Sequence, residues 1–158
     1  MPATKEKFFA ESSHEKHDYK EERNWAINID DLEQKIEVIK DEKELKFLQY
    51  FIDKLKQDCI EYVRLKKYRS QVDQTRQEEH FDSETRLSWQ QQVSSVDTAT
   101  RNKHIVIIDD LNIISRRFEE LGLDNSWREY LGDDRERIGA WAFSMGIPTQ
   151  GAEMAEID

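Results

Sequence analysis

The sequence predicts an all-α fold, an elongated helical bundle built on one long antiparallel helix hairpin with shorter N- and C-terminal helices packed on it. The 158 residues include only 5 Gly and 2 Pro, too few for the many tight turns of a β-sandwich or barrel. Charged residues make up 37% of the chain. Over two long stretches the apolar residues recur at steps of three and four, which places them on one face of a helix.

Composition also limits the domain organisation, the partners and the cellular compartment that we expect for the protein. A chain of this length suits one domain, which we expect to span residues 12–147, between a flexible N-terminus at 1–11 and a flexible tail at 148–158. The formal charge of −10 argues against nucleic acid as a partner, because phosphate binding needs a local excess of cations. The single Cys59 excludes an internal disulfide and fits a reducing compartment. No apolar run approaches the roughly 18 residues of a membrane span, so we expect a cytoplasmic protein.

Two short helices are predicted before the hairpin. Ser12 or Ser13 can cap a helix that runs to about Trp25, because a short side-chain oxygen satisfies a free amide group at a helix start. Asn28 or Asp30 can cap the next helix in the same way. Its apolar stripe consists of Leu32, Ile36 and Ile39.

The first long helix follows the charged stretch 40–44. Because this stretch contains no Gly or Pro, we expect the preceding helix to continue through it with a kink or a shift of face rather than to break at Asp41. The helix then lasts to about Glu79. Its apolar stripe is Leu45, Leu48, Ile52, Leu55, Cys59 and Tyr62.

The second long helix is the best defined element of the chain. Asp82 or Ser83 can cap its start, and Gly122 followed by Leu123 can end it as a left-handed glycine with an apolar contact. A turn near residues 80–83 makes it antiparallel to the first long helix. Its shared face is Trp89, Val93, Val96, Thr100, His104, Ile107, Leu111, Ile114, Phe118 and Leu121.

The C-terminal part is predicted to hold two more short helices. The first spans 127–131 and ends at Gly132, and Asp133 or Asp134 caps the second, which runs from Arg135 to about Met145.

Apolar residues also lie outside the apolar stripes of the two long helices. They predict further packing partners, since a core-facing helix uses a wider stripe than a two-stranded coiled coil. We expect a homodimer that pairs two hairpins into a four-helix core. The alternative is that the short helices cover the hairpin of a single chain. The apolar residues outside the two stripes are Phe47, Phe51, Ile60 and Val63 on the first long helix and Ile105, Ile108 and Ile113 on the second.

Five residues form a candidate ligand pocket in the middle of the hairpin: Cys59, Tyr62, Asp97, Thr100 and His104. If the chain reverses near residue 81, His104 lies level with Cys59, and Thr100 lies level with Tyr62. The functional interpretation is a thiol activated by imidazole, or a metal or ligand pocket. The structural interpretation is that Cys59 packs as a small apolar group while His104 and Thr100 form internal hydrogen bonds. We favour the structural interpretation, and we predict no catalytic residue, no metal and no cofactor.

The adjacent carboxylates Asp109 and Asp110 do not form a recognisable metal motif. Magnesium sites on helices need further carboxylates three or four residues away, and the residues four positions on are Ile113 and Ile114. We expect Asp109 to face solvent or to pair with a nearby arginine, Arg116 or Arg117.

The aromatic C-terminal end offers a candidate interface. Trp127, Tyr130 and Arg128 lie within four residues, and aromatic residues with arginine are typical of interface hot spots. We expect Trp127 to contribute to a contact surface, whereas Trp141 fits the core.

The last third of the chain also carries short runs that resemble a family. They are Arg101-Asn102-Lys103-His104, Ile108-Asp109-Asp110-Leu111-Asn112, Asp134-Arg135 and Ile138-Gly139-Ala140-Trp141-Ala142. This part resembles a small all-helical bacterial family described only as a domain of unknown function. The resemblance implies a bacterial, helical, cytoplasmic protein and supplies no catalytic residues.

The sequence is compatible with two classes of function. The first is a non-enzymatic protein–protein interaction or regulatory module. The alternative is a small-molecule- or metal-binding helical enzyme with its site around Cys59 and His104. An enzyme should show a cavity at that site, and an interaction protein should show an exposed apolar patch elsewhere.

Overall fold

The computed structural model describes residues 25–78 and 82–147, and within these ranges it contains five α-helices and no strand. The elements are α1 (Ile29–Lys35), a 3₁₀ turn (Ile36–Val38), α2 (Glu42–Glu78), α3 (Ser83–Glu120), α4 (Ser126–Leu131) and α5 (Arg135–Gly146). The prediction of an all-α bundle on a long hairpin is therefore confirmed. The helix expected over 12–25 lies outside the described residues, apart from Trp25, which is not helical. None of the described helices is long and apolar enough to cross a membrane.

Helix α3 begins and ends as its sequence predicts. The Asp82 carboxylate accepts a hydrogen bond from the backbone amide of Thr85 at 2.8 Å. At the other end Gly122 has φ of 73°, and the amide of Leu123 donates to the carbonyl of Phe118 at 2.9 Å. Only glycine adopts this left-handed conformation without strain, so Gly122 stops the helix.

The expectation that one helix passes through residues 40–44 is wrong. The chain leaves helical geometry at Ile39, whose ψ is 127°, and α2 begins at Glu42. The carboxylate of Asp41 accepts hydrogen bonds from the amides of Lys43 and Glu44, at 2.9 and 3.3 Å. A side-chain cap therefore starts a new helix without Gly or Pro, because it satisfies the amides that the break leaves free.

The α2–α3 hairpin forms the centre of the molecule with the predicted register. Trp89 donates from its indole nitrogen to the carbonyl of Val72 at 3.0 Å, and Arg117 at the far end pairs with Glu44. The predicted apolar stripes of the two helices supply the buried core residues, which include Leu48, Ile52, Leu55, Cys59, Val96, Ile107, Leu111, Ile114 and Phe118.

Helix α5 crosses α2 at very short range. Gly146 lies against the backbone of Cys59, so close that an added Cβ would be 2.2 Å from the Cys59 carbonyl oxygen. Ala142 is fully buried between Gly146 and Gly139 on the same face of α5. Small residues at these spacings let the two helices approach closely.

The segment that precedes α1 is tied to α5 by two tryptophans. Trp141 donates from its indole nitrogen to the carbonyl of Ile27 at 2.8 Å, and Trp25 donates to the hydroxyl of Ser144 at 3.1 Å. The guanidinium of Arg137 lies over the ring of Trp25 at 4.9 Å. The N-terminal part of the described chain and α5 therefore pack as one layer on the hairpin.

Candidate functional site

The structure brings together three of the five residues of the candidate pocket. Cys59 is fully buried, Tyr62 is almost fully buried, and the rings of Tyr62 and His104 lie 5.7 Å apart. Asp97 instead faces solvent and accepts a hydrogen bond from Arg69 at 3.0 Å. Thr100 donates from its hydroxyl to the carbonyl of Val96 in its own helix at 2.8 Å.

Helix α5 closes the space between these three residues. An added Cβ at Gly139 would lie 2.9 Å from the hydroxyl oxygen of Tyr62 and 3.7 Å from Nε2 of His104. The imidazole Nε2 is buried and has no hydrogen-bond partner. The backbone of α5 therefore occupies the place where a ligand of Tyr62 and His104 would lie.

The electrostatics of this group do not favour nucleophilic chemistry. Burial, followed by the charges of Asp58 and Asp110, raises the pKa of the Cys59 thiol well above its ordinary value. Burial also lowers the pKa of His104, an effect to which Arg135 and Lys66 add. A thiol nucleophile needs the opposite shift, since the thiolate is the reactive form.

The candidate interface residues engage within the chain. Contrary to the expectation of a contact surface, Trp127 is buried and its ring packs edge-on against Phe118 at 5.6 Å. Tyr130 accepts a hydrogen bond on its hydroxyl from the amide of Ala26 at 3.1 Å. Arg128 donates to the carbonyl of Gly132 at 2.7 Å.

Arg128 also lines an open groove of about 580 Å³ between α3, α4 and the turn after α4. Its guanidinium already contacts Asn112 at 3.0 Å and Asp133 at 3.3 Å. The charge of Arg128 is therefore satisfied inside the chain.

A cluster that the sequence analysis did not identify lies between α2 and α3. We call it the carboxyl–lysine cluster; it consists of Lys54, Asp58, Lys103 and Asp110. The ammonium group of Lys54 lies 2.9 Å from one oxygen of Asp58 and 3.0 Å from one oxygen of Asp110. Lys103 lies 3.1 Å from the other oxygen of Asp58. The side chains of Asp58 and Asp110 are only 11% and 2% exposed, so the two carboxyl groups lie beneath the lysines.

The two carboxyl groups of this cluster differ in their proton affinity. Burial and the neighbouring Asp58 raise the pKa of Asp110 to about 7, although Lys54 opposes the shift. Burial acts to raise the pKa of Asp58 too, but hydrogen bonds from Asp110, Lys54 and Lys103 lower it below its ordinary value. Two carboxyl groups whose environments drive their pKa values apart commonly share one proton.

A signal for this cluster exists in the sequence. Asp110 follows Ile107 by three residues and therefore lies on the buried face of α3. Lys54 and Asp58 are four residues apart on α2, the spacing of a helical ion pair. The predicted register places Lys54 opposite the region of Asp110. Asp109, in contrast, is exposed as expected.

Helical spacing places several apolar side chains on the same faces of α2 and α3 as the carboxyl–lysine cluster. We call this surface the outer flank and define it by Phe47, Tyr50, Phe51, Val106 and Ile113. Tyr50 is 61% exposed and Ile113 is 37% exposed, while the other three are partly buried. The ring of Tyr50 meets that of Phe51 edge-on at 5.0 Å. The outer flank thus exposes two large apolar side chains, Tyr50 and Ile113, beside three that are partly buried.

The described residues contain no group of three or more His, Cys, Asp or Glu side chains placed to hold a metal ion. No known protein family, curated protein or solved structure matches this chain.

Proposed function

We propose that the chain is a non-enzymatic protein–protein interaction module that binds through the outer flank, with a second copy of the chain as its partner. The observation that carries this proposal is the exposure of Tyr50 and Ile113 beside three further apolar side chains on one side of the hairpin. Exposed apolar surface of this kind is typical of interaction sites.

The architecture supports a second copy as the partner. A hairpin of two helices, each about 55 Å long at roughly 1.5 Å per residue, supplies half of a four-helix bundle. Helices α4 and α5 contact α3 and α2 at Phe118, Cys59 and His104, which are on another side. A two-fold pairing of outer flanks would place the same apolar side chains against each other, as a symmetric dimer requires.

Charge on the outer flank is compatible with this pairing. Lys54 and Lys103 are 35% and 26% exposed and are already paired with Asp58. Arg117 is paired with Glu44 and lies 4.2 Å from the centre of the Phe47 ring. A partner that covers the flank therefore buries ion pairs rather than isolated charges, which lowers the desolvation cost.

The enzyme alternative draws less support from the geometry. Its residues Cys59 and His104 are packed against α5, and the pKa of the thiol is raised rather than lowered. That the chain is a bacterial cytoplasmic protein stays a prediction of the sequence, because no family model matches the chain.

The test is the solution mass, measured by light scattering across a tenfold range of concentration. We expect a dimer, and we expect Tyr50→Ser and Ile113→Ser to shift it toward the monomer. Leu87→Ser is the matched control, because Leu87 is 55% exposed on the same helix as Ile113 but lies about 39 Å along that helix from it at roughly 1.5 Å per residue.

Two results would contradict the proposal. A wild-type chain that is monomeric at every concentration would refute the second copy as partner. A dimer that Leu87→Ser dissociates, and that the outer-flank variants leave intact, would place the interface on the distal part of the hairpin.

A further inference from the structure

We propose that Asp58 and Asp110 hold one shared proton inside the folded hairpin, and that loss of this proton as the pH rises weakens the packing of α3 on α2. This would make the hairpin sensitive to pH. The inference concerns a single chain and does not depend on self-association.

The hydrogen bonds of the cluster show where this proton belongs. One oxygen of Asp110 accepts from Lys54 at 3.0 Å, and its other oxygen, Oδ2, is buried without any donor. Both oxygens of Asp58 accept from ammonium groups, Oδ2 from Lys54 and Oδ1 from Lys103. A proton on Oδ2 of Asp110 can be donated to the carboxylate of Asp58, because one Lys54 ammonium contacts both carboxyl groups, at 2.9 and 3.0 Å, and so holds them close together. The proton thus satisfies the one oxygen that the lysines leave unpaired.

Burial makes the unprotonated state costly. The Asp110 side chain is 2% exposed, so bulk solvent does not reach Oδ2, which has no protein donor. Although Lys54 pairs with Oδ1, an ionised Asp110 leaves Oδ2 buried without a donor, and a buried polar atom without a hydrogen bond destabilises the folded state. The strongest electrostatic neighbours of Asp110 are Asp58 and Lys54 of α2, and its own helix contributes Lys103, which reaches Asp58. The thiol of Cys59 also interacts with both carboxyl groups.

Proton release acts on the contact between the two long helices because the two carboxyl groups belong to different helices. Asp58 is on α2 and Asp110 is on α3. With the proton present, the pair forms a hydrogen bond across the seam. Without it, two negative charges face each other at the same place, and only Lys54 bridges them.

The direction of the effect follows from the two states of the chain. In the unfolded chain Asp110 loses its proton near the ordinary value of 3.8, whereas burial raises its pKa to about 7 in the folded chain. Between these values the folded state binds one proton more than the unfolded state. The stabilisation from this proton is therefore complete below pH 4 and is lost as the pH rises through 7.

The direct test is a titration of the full chain in which the ¹³C signals of the aspartate carboxyl groups are followed by NMR. We expect one aspartate to titrate near pH 7, with the signal of Asp58 moving in the same step. The step should persist in Asp109→Asn, which changes the exposed neighbour, and should vanish in Asp110→Asn. Titration of every aspartate below about pH 5 would overturn the proposal.

A second variant and a second readout keep the two halves of the proposal separate. Asp58→Asn removes the neighbouring charge, so the midpoint of Asp110 should fall by a measurable fraction of a pH unit or more; an unchanged midpoint would show that the proton is not shared. Hydrogen exchange of the α3 amides around Ile107–Ile114, corrected for intrinsic rates, should become faster from about pH 6 to 8 in the wild type only. Equal pH dependence in Asp110→Asn would refute the effect on packing.

Discussion

The close approach of α5 to α2 predicts that Gly146→Ala strongly destabilises the protein. An added Cβ would lie 2.2 Å from the carbonyl oxygen of Cys59 and 2.7 Å from a methyl carbon of Val63. Real Cβ contacts rarely fall below 3.4 Å, so α5 must move away by more than 1 Å. The obstacle is the backbone of α2, which cannot rotate aside as a side chain can.

The magnitude combines two opposing effects. Overpacking a close contact typically costs about 1–3 kcal/mol, and a rigid backbone obstacle places this contact at the upper end. Replacing glycine by alanine in a helix returns at most about 1 kcal/mol through helix propensity. We therefore expect Gly146→Ala to lower the free energy of unfolding by about 2 kcal/mol.

Gly139→Ala is the matched control, because it makes the same change on the same buried face of α5. Its added Cβ would meet the hydroxyl of Tyr62 at 2.9 Å, and that hydroxyl is the end of a side chain that can turn away. The cost of the clash and the gain in helix propensity then nearly cancel. We expect the free energy of unfolding of Gly139→Ala to lie within about 1 kcal/mol of the wild-type value. Urea denaturation monitored by circular dichroism measures both variants. A Gly146→Ala variant as stable as the wild type would refute this prediction, and so would a larger loss of unfolding free energy in Gly139→Ala than in Gly146→Ala.

Three further substitutions test other parts of the structure by urea denaturation. Asp110 should contribute about 2–3 kcal/mol of unfolding free energy at about pH 5 that is lost by about pH 8, given its pKa of about 7 against 3.8 when unfolded. In Asp110→Asn the free energy of unfolding should no longer show this loss between about pH 5 and pH 8. A variant whose pH profile runs parallel to that of the wild type would contradict the prediction. Burial lowers the pKa of His104 below 6.5, so the unfolded chain takes up this proton first and acid lowers stability. His104→Leu should therefore keep the fold and resist acid better than the wild type; greater acid sensitivity would disprove this. Trp141→Phe removes the 2.8 Å hydrogen bond to Ile27 and should cost about 1–2 kcal/mol at any pH, whereas an unchanged stability would show that the buried carbonyl finds another donor.

The long hairpin could be predicted in detail because its signal is repeated many times. Every step of three or four residues from Val96 to Phe118 adds evidence for the same face, so an error at one position changes nothing. The register followed from the position of the turn alone, and the contact between Val72 and Trp89 confirms it. Asp82 and Gly122 then marked the ends of α3 through their own backbone chemistry.

Features that depend on a single side chain were harder to predict. The break at Asp41 arises from one carboxylate that caps α2, and such a residue looks the same when it is simply exposed on a continuous helix. The sequence analysis considered Asp110 only as part of a metal motif, although its spacing from Ile107 places it on the buried face of α3. The spacing of residues along a helix determines which face a side chain lies on, and the charge of the side chain does not change that face.

The placement of Trp127 depended on distant parts of the chain. Aromatic residues beside arginine suggested a contact surface, but the ring of Trp127 packs on Phe118. In the same way, the proximity of Cys59 to Gly146 is set by how α5 crosses the hairpin. No local pattern specifies a crossing point between elements so far apart along the chain.

The hydrogen bonds from Trp25 to Ser144 and from Trp141 to Ile27 join residues that are 119 and 114 positions apart. These contacts constrain the order in which a newly made chain can assemble. The hairpin needs only neighbouring segments and can form as soon as α3 leaves the ribosome, whereas contacts between distant segments carry a larger loop-closure cost and form more slowly. Until α5 has been synthesised, Trp25 and Ile27 lack the partners of these two hydrogen bonds, and the face of α2 that Gly146 will cover is open to other chains. The last residues of the domain thus complete the fold, and a nascent chain is most exposed to wrong partners just before they appear.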